Sequence, residues 1–156
     1  MATDIRMHSR RQALQQGLAA AAALGSASLF TGEALAFNKA AFEAKTVQDT
    51  VKALGGSGLA ASKDVQVEGP ELSENGASVL VGLSTTLPGI RQLALLVEKN
   101  PNTLAAVFNV NEAIEPSFSL RIKMAESSQV YAVAIAQDGK AWFARREIKV
   151  TLGGCG

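Results

Sequence analysis

Two segments joined by a tight turn decide the fold: Gln129–Ala136 (QVYAVAIA) and Lys140–Thr151 (KAWFARREIKVT), separated by Gln137-Asp138-Gly139. Both segments are rich in the β-branched and aromatic residues that favour strands. An Asp-Gly pair between two such segments is a strong signal for a hairpin turn. The sequence therefore predicts a β-hairpin close to the carboxyl terminus.

Shorter segments of the same kind precede this hairpin. Each alternates apolar and polar residues or is rich in β-branched residues, and each is bounded by Gly, Pro, Asn or a polar turn. Several short strands without long helices between them predict an all-β fold, an immunoglobulin-like antiparallel β-sandwich. The segments are Val65–Glu68, Ala77–Thr86, Ile90–Val97, Thr103–Asn109 and Ser117–Ala125.

One helix is expected ahead of the strands, over Asn38–Leu54, with Asn38 as its amino-terminal cap. The glycine-rich Gly55–Gly58 ends it. The run Gly56–Ala61 satisfies the pattern G-x-G-x-x-A of dinucleotide-binding proteins, but that motif must follow a strand and open a helix. Because this run follows a helix, we expect it to be a loop. The apolar positions at helical spacing are Ala41, Phe42, Val47, Val51 and Leu54.

The first 36 residues have the features of an export signal. Ser9-Arg10-Arg11 precedes a mildly apolar run, Leu18–Phe30, that is too short to span a bilayer. Ala34-Leu35-Ala36 supplies a small-x-small cleavage pattern, which places the mature start at Phe37. The adjacent Arg10 and Arg11 favour the twin-arginine route, so membrane contact is expected only during export. The alternative is an amphipathic helix with a chance arginine pair.

Charge excludes one class of function for the remaining chain. Three of the 15 Lys and Arg and two of the 14 acidic residues precede Phe37, which leaves 12 of each in the mature part. A neutral domain lacks the basic stripe that a nucleic acid requires. At 47% hydrophobic and 19% charged residues, the chain is typical of one globular domain, over residues 37–150.

Few residues of the mature part can do chemistry. The single histidine, His8, lies in the signal segment, which removes imidazole from nucleophilic pairs and from metal sites. Two carboxylate pairs lie in polar turns, where solvated carboxylates are poor acid-base catalysts. We expect no metal and no cofactor, and we expect Trp142 to be a packing residue. The pairs are Glu71 with Glu74, and Glu112 with Glu115.

The last six residues, Thr151–Gly156, hold the only cysteine of the chain. Gly153, Gly154 and Gly156 flank Cys155, and glycine visits both signs of φ at little cost, so residues 151–156 are expected to form a flexible arm, the tail. At about 3.3 to 3.6 Å per residue, Cys155 reaches on the order of 10 Å beyond Leu152. Three interpretations stay open: a reactive thiol, half of an intermolecular disulfide, or an unselected residue.

The motifs together resemble the SoxY family, the thiol-bearing subunits of the SoxYZ sulfur carrier in the thiosulfate-oxidising Sox system. The resemblance covers essentially the whole chain and includes the twin-arginine signal. Pro70–Gly76 (PELSENG) matches the family turn P-E-x-x-E-N-G, Asn100-Pro101 lies between strands, and Val150–Gly156 (VTLGGCG) matches the family ending. Two positions depart from the family: the chain stops one glycine early, at Gly156, and has Leu80 where members often have proline.

The resemblance implies a carrier cycle in the periplasm. Cys155 would be joined oxidatively to thiosulfate by the cytochrome complex SoxXA, SoxB would release sulfate, and a sulfane dehydrogenase, where present, would oxidise the remaining sulfur. SoxZ, a small sandwich protein, would be the constitutive partner, and the chain itself would not be an enzyme. The alternative from another class of protein is a structural module that homodimerises through a Cys155 disulfide.

Overall fold

The computed structural model describes residues 38–151. The predicted signal segment with Arg10 and Arg11, and the tail residues Gly153, Gly154, Cys155 and Gly156, lie outside the described residues. Two helices and nine strands follow one another along the described part. They are α1 (Lys39–Glu43), α2 (Val47–Ala53), β1 (Ser57–Ala61), β2 (Val65–Glu68), β3 (Leu72–Ser73), β4 (Val79–Thr85), β5 (Ile90–Val97), β6 (Leu104–Asn109), β7 (Ser117–Ile122), β8 (Ser128–Ala136) and β9 (Lys140–Val150).

The strands form two sheets. The larger has the order β1-β9-β8-β5-β6, with β3 also paired to β9, and the smaller has the order β2-β4-β7. The neighbours β9, β8, β5 and β6 are antiparallel, as are the three strands of the smaller sheet. The predicted fold class, an immunoglobulin-like β-sandwich preceded by a short helical segment, is confirmed.

The predicted hairpin is confirmed and lies in the middle of the larger sheet. β8 and β9 pair in continuous register from Ser128↔Ile148 to Ile135↔Ala141. Gly139 closes the turn with φ +87°, a left-handed conformation that glycine adopts without a Cβ clash, and its N–H donates to the carbonyl of Ala136. The sequence therefore specified both the pairing and the turn.

The main core fills the space between the two sheets. Apolar side chains that alternate along β4, β5 and β8 point inward, and burial of this much apolar surface is the main source of stability in such a domain. Trp142 is half-buried against this core, as predicted for a packing residue. Fully buried members include Val79, Val81, Leu93, Leu95, Val97, Val130, Ala132, Ala134 and Ile148.

The helices cover the outer face of the larger sheet. Ala41, Val51 and Leu54 lie in a second cluster with the outward side chains of β5 and β8. The single predicted helix is wrong: Ala44 is extended, with ψ 141°, and Thr46 caps a new helix by accepting from the N–H of Asp49. The physical reason is tertiary, since the carbonyl of Ala44 accepts from the N–H of Thr103, directly before β6.

The loop predicted over Gly56–Ala61 is also wrong. Residues 57–61 form β1, which pairs in parallel with the first residues of β9. The strand escaped prediction because almost all of its residues are exposed, so apolar alternation is absent. Its hydrogen bonds to β9, not the burial of its side chains, keep it extended. No helix of residues 38–151 is long and apolar enough to span a membrane.

Asp138 in the hairpin turn gives a test of the fold by pH. The backbone N–H of Lys140 donates to its Oδ1 at 3.0 Å, and this bond, followed by the Lys140 ammonium 3.2 Å from Oδ2, lowers the pKa of Asp138. A carboxyl group with a lowered folded pKa stabilises the fold above its unfolded pKa, and the effect is lost as pH falls through the folded value.

We therefore expect Asp138→Asn to lower the melting temperature slightly at pH 6, where the native carboxylate is ionised. The difference should begin to shrink as the pH falls below about 4, the ordinary pKa of an unfolded aspartate, and should disappear below the lowered folded pKa. Thermal unfolding of both proteins between pH 3 and 7 measures it. A difference that grows at acid pH would contradict the assignment.

Candidate functional site at the root of the tail

The structure describes the chain up to Thr151, the first residue of the predicted tail. The predicted site residue Cys155 lies outside the described part, so the site that can be built from contacts is the tail root. We use this name for Val150 and Thr151 together with the residues that hold them, Ser73, Gly76 and Ser127.

One edge of the tail root is held by β3. The N–H of Lys149 donates to the carbonyl of Glu71, and the N–H of Thr151 donates to the carbonyl of Ser73, both at 3.0 Å. The pairing is parallel, with Leu72 opposite Lys149 and Ser73 opposite Val150. Two residues of strand are therefore enough to fix the direction in which the chain leaves β9.

The other edge is held by a side chain. The β8–β9 ladder ends at Ser128↔Ile148, two residues before Val150. The N–H of Val150 donates to Ser127 Oγ at 2.9 Å, and Ser127 Oγ is 3.3 Å from the carbonyl of Val150. The Ser127 hydroxyl thus replaces a strand partner, and Val150 is held from both sides.

Gly76 closes the tail root from a third direction. Its carbonyl accepts from the N–H of Met124 at 2.8 Å. A Cβ at this position would lie 2.7 Å from Met124 O and 2.7 Å from Val150 Cγ1. The turn before it is shaped by Asn75, whose Oδ1 accepts from the N–H of Ala77 at 2.9 Å. Only a residue without a side chain fits between these neighbours without movement.

Asn100 supports the segment that Gly76 contacts. Its amide group donates to the carbonyl of Lys123 at 2.8 Å and accepts from the N–H of Ala125 at 2.9 Å. A single side chain thereby satisfies two backbone groups in the connection between β7 and β8. Asn100 holds residues 123–125 in place, and Met124 in turn holds Gly76.

Three motifs that are far apart in sequence therefore meet at one end of the sandwich. They are Pro70–Gly76, Asn100 and the end of β9. The first and the last border a recess of about 280 Å³ beside Thr151, and Asn100 supports the segment that lies between them. The recess is lined by Glu74, Asn75, Gly76, Ala77, Met124, Ala125, Val150 and Thr151.

The other sequence-predicted positions are exposed. Glu71, Glu74, Glu112 and Glu115 are exposed, in agreement with solvated turns. Leu80 lies on the outer face of the smaller sheet with 51% of its surface exposed, so this position is not part of the core. Among residues 38–151, no group of three or more His, Cys, Asp or Glu side chains could hold a metal ion.

Sequence reasoning missed Ser127 and the convergence of the motifs. Serine at a strand boundary has no signature, because serines are common in turns. The only sequence signal for this convergence was Pro70–Gly76. Its Asn-Gly ending predicts a tight turn, but it does not predict which part of the chain packs against that turn. Asn100 could be named from its motif, but its hydrogen bonds depend on the fold.

Fold and site together define a class of protein: a β-sandwich whose last strand is held on both edges and continues into a short tail with the single cysteine of the chain. A family model described as "Sulfur oxidation protein SoxY" matches residues 50–155, which is more than half of the chain. The chain belongs to the SoxY family.

One solved structure agrees with this assignment. The sulfur carrier protein SoxY from Chlorobium limicola f thiosulfatophilum is 34% identical, with a TM-score of 0.62 over 69% of this chain and 97% of that one. A superoxide reductase (neelaredoxin) from Ignicoccus hospitalis is 24% identical, with a TM-score of 0.49 over 56% of this chain and 80% of that one. No curated protein shows significant similarity.

Gly76→Ala should destabilise the tail root. The added methyl group must displace the Met124 carbonyl or the Val150 side chain, and overpacking of this kind costs about 1 to 3 kcal/mol. Urea unfolding measures the loss, and hydrogen exchange at Thr151 should speed up as its bond to Ser73 loosens.

Gly82→Ala is the matched control, because a Cβ there meets its nearest atom, Glu68 Cβ, at an ordinary 3.4 Å. It should change the free energy of unfolding by less than about 0.5 kcal/mol. Equal effects of the two substitutions would contradict the close contact at Gly76.

Proposed function

We propose that this protein is a periplasmic sulfur carrier in thiosulfate oxidation, which holds sulfur intermediates covalently on Cys155 and presents them to separate enzymes. The observation that carries the proposal is the tail root, in a chain of the SoxY family: Val150 is held on both edges directly before a tail with the only thiol. The related Chlorobium protein is described as a sulfur carrier.

The chemistry requires little of the domain itself. In the loading step the Cys155 thiol loses its proton, its sulfur bonds to the outer sulfur of thiosulfate, and two electrons pass to an oxidant. The oxidant would be the cytochrome complex SoxXA. Hydrolysis by SoxB would then break the bond between the two thiosulfate sulfurs, release sulfate and leave a persulfide on the cysteine for a sulfane dehydrogenase, where present.

The tail root has a clear part in this scheme. A thiol that must enter another protein's active site gains from a fixed point of departure, because a fixed anchor limits the volume that the tail must search. Ser73 and Ser127 provide the anchor at Val150 and Thr151. The described domain therefore supplies position, and the enzymes supply activation of the thiol. SoxZ would be the permanent partner.

Incubation with thiosulfate and the cognate SoxXA should add the mass of one thiosulfate group to the chain. Peptide mapping should place the group on Cys155, and Cys155→Ser should prevent the addition while the melting temperature stays unchanged. An unmodified Cys155 under these conditions would overturn the proposal.

Non-reducing electrophoresis distinguishes the carrier from the alternative, a structural module that homodimerises through a Cys155 disulfide. A complete and permanent disulfide dimer that takes up no thiosulfate would favour a structural module over a carrier.

Export by the twin-arginine route is tested separately. Replacement of Arg10 and Arg11 by lysine should leave the precursor in the cytoplasm, because this route requires the arginine pair. Immunoblotting of cell fractions follows the precursor, and amino-terminal sequencing of the exported native form should begin at Phe37. Export that is unaffected by the double substitution would exclude the route.

A further inference from the structure

The outer edge of β9 is paired at both ends and open in the middle. β1 pairs with Lys140 to Phe143, and β3 pairs with Lys149 and Val150. No strand of residues 38–151 pairs with the intervening stretch of β9 on this edge. We call the stretch Ala144–Ile148 the β9 gap.

The backbone of the β9 gap points toward the missing strand. The carbonyl of Phe143 accepts from the N–H of Ser62, and the N–H of Lys149 donates to the carbonyl of Glu71, both across this edge. The N–H and C=O groups of every second residue in a strand point to the same side. Arg145 and Glu147, which lie between them, therefore direct two N–H and two C=O groups into the gap, and both residues are exposed.

The gap exists because the chain leaves the larger sheet and returns to it. After β1 the chain crosses to the smaller sheet, where β2 pairs with β4 from Val65↔Thr85 to Glu68↔Gly82. It then returns as β3. A strand that continued straight from β1 would have filled the gap. Instead, the outer edge of β9 is open over a short stretch, with β1 paired at one end of this stretch and β3 at the other.

Arg146 is the residue at the centre of the gap, and its side chain is poorly satisfied. Residues 142, 144, 148 and 150 of the same strand face the main core, so alternation places Arg146 on that face. Its Nε is buried and has no hydrogen-bond partner in the described part of the chain. A buried donor without a partner is costly, and an unpaired one calls for an explanation.

Two cavities lie along the gap. One, of about 550 Å³, is lined by Glu71, Leu72, Arg146, Glu147 and Lys149, and the other, of about 480 Å³, by Ala61, Ser62, Lys63, Phe143, Ala144 and Arg145. Their linings contain four cations, Lys63, Arg145, Arg146 and Lys149, against two carboxylates. None of these cations forms an ion pair within residues 38–151. Leu72 at one end is 53% exposed.

We propose that the β9 gap binds a short, extended, acidic segment of a partner protein. The main chain of the segment pairs with the free groups of Arg145 and Glu147, as in strand addition to an open edge. A carboxylate on the segment accepts from the guanidinium of Arg146, which lines one of the two cavities, and the surrounding cations favour the negative charge. Because strands close both ends of the gap, about five residues fit. This site does not depend on Cys155.

The melting temperature of an Arg146 variant separates a role in ligand binding from a role in stabilising the fold. A methionine fills the same volume and removes the unpaired donor, so Arg146→Met should keep or raise the melting temperature if the arginine serves a ligand. If the arginine serves the fold, the same substitution should lower it.

Binding is tested with the predicted mature chain, residues 37–156, and a fluorescein-labelled pentapeptide of sequence Thr-Val-Asp-Val-Thr with blocked ends. Fluorescence anisotropy should give a dissociation constant tighter than about 1 mM, the weak end of specific binding. Binding should weaken at least tenfold when lysine replaces the central aspartate, and equally when the three central peptide amides are N-methylated. Hydrogen exchange should slow at Arg145 and Glu147 in the complex.

The protein variants give the matched comparison. Arg146→Met should lose at least tenfold in affinity, whereas Arg121→Met, which removes an exposed arginine from the outer face of the smaller sheet, should bind as the native chain does. No binding of the peptide at 1 mM, equal binding of the lysine peptide, or unchanged affinity in Arg146→Met would overturn the proposal. Dimerisation of the free chain that Arg146→Met abolishes would also overturn it, in favour of a second copy as the occupant.

Discussion

The pairing of β9 along both of its edges is the constraint on which the rest of the structure depends. This strand carries the tail, and a terminal strand that is bonded on one side only frays at its end. β8 supplies one edge through a continuous antiparallel ladder. The other edge is assembled from two short parallel strands, β1 and β3, that reach β9 from different parts of the chain. β9 is thereby held along its length as far as Val150, and the N–H of Thr151 donates to the carbonyl of Ser73.

Side chains complete the pairing where strands end. Ser127 accepts from the N–H of Val150, two residues beyond the end of the β8–β9 ladder. Asn100 satisfies two backbone groups after β7. Both solve one physical problem, because backbone N–H and C=O groups that lack a partner cost free energy when they are buried or half-buried. Their short polar side chains can imitate a strand without the space that a strand needs. This explains why Asn100 and the turn Pro70–Gly76, which carry no catalytic groups, belong with the tail.

The middle of β9 has no strand partner on its outer edge within residues 38–151. β2 belongs to the smaller sheet, so the middle of β9 keeps free backbone groups and an arginine whose Nε has no partner. The tail root and the β9 gap lie on the same strand but differ in chemistry. At the tail root every backbone group of Val150 is satisfied, whereas in the gap Arg145 and Glu147 are open to another chain. In the proposed carrier, the tail root would hold the thiol's point of departure constant, and the β9 gap would be completed by another chain.

The sequence by itself determined the sandwich, the hairpin around Asp138-Gly139 and the family, because alternation, turn residues and short motifs are local properties of a chain. It also indicated that Cys155 is the only thiol. The tertiary structure decided where the helix breaks at Ala44, that Ser57–Ala61 is a strand, and that Ser127, Gly76 and Asn100 meet at Val150. Those features arise from hydrogen bonds between residues that are distant in sequence, and an exposed strand such as β1 has no hydrophobic pattern to reveal it. Local patterns could predict which strands exist, but only the folded chain decides which backbone groups those strands leave without a partner.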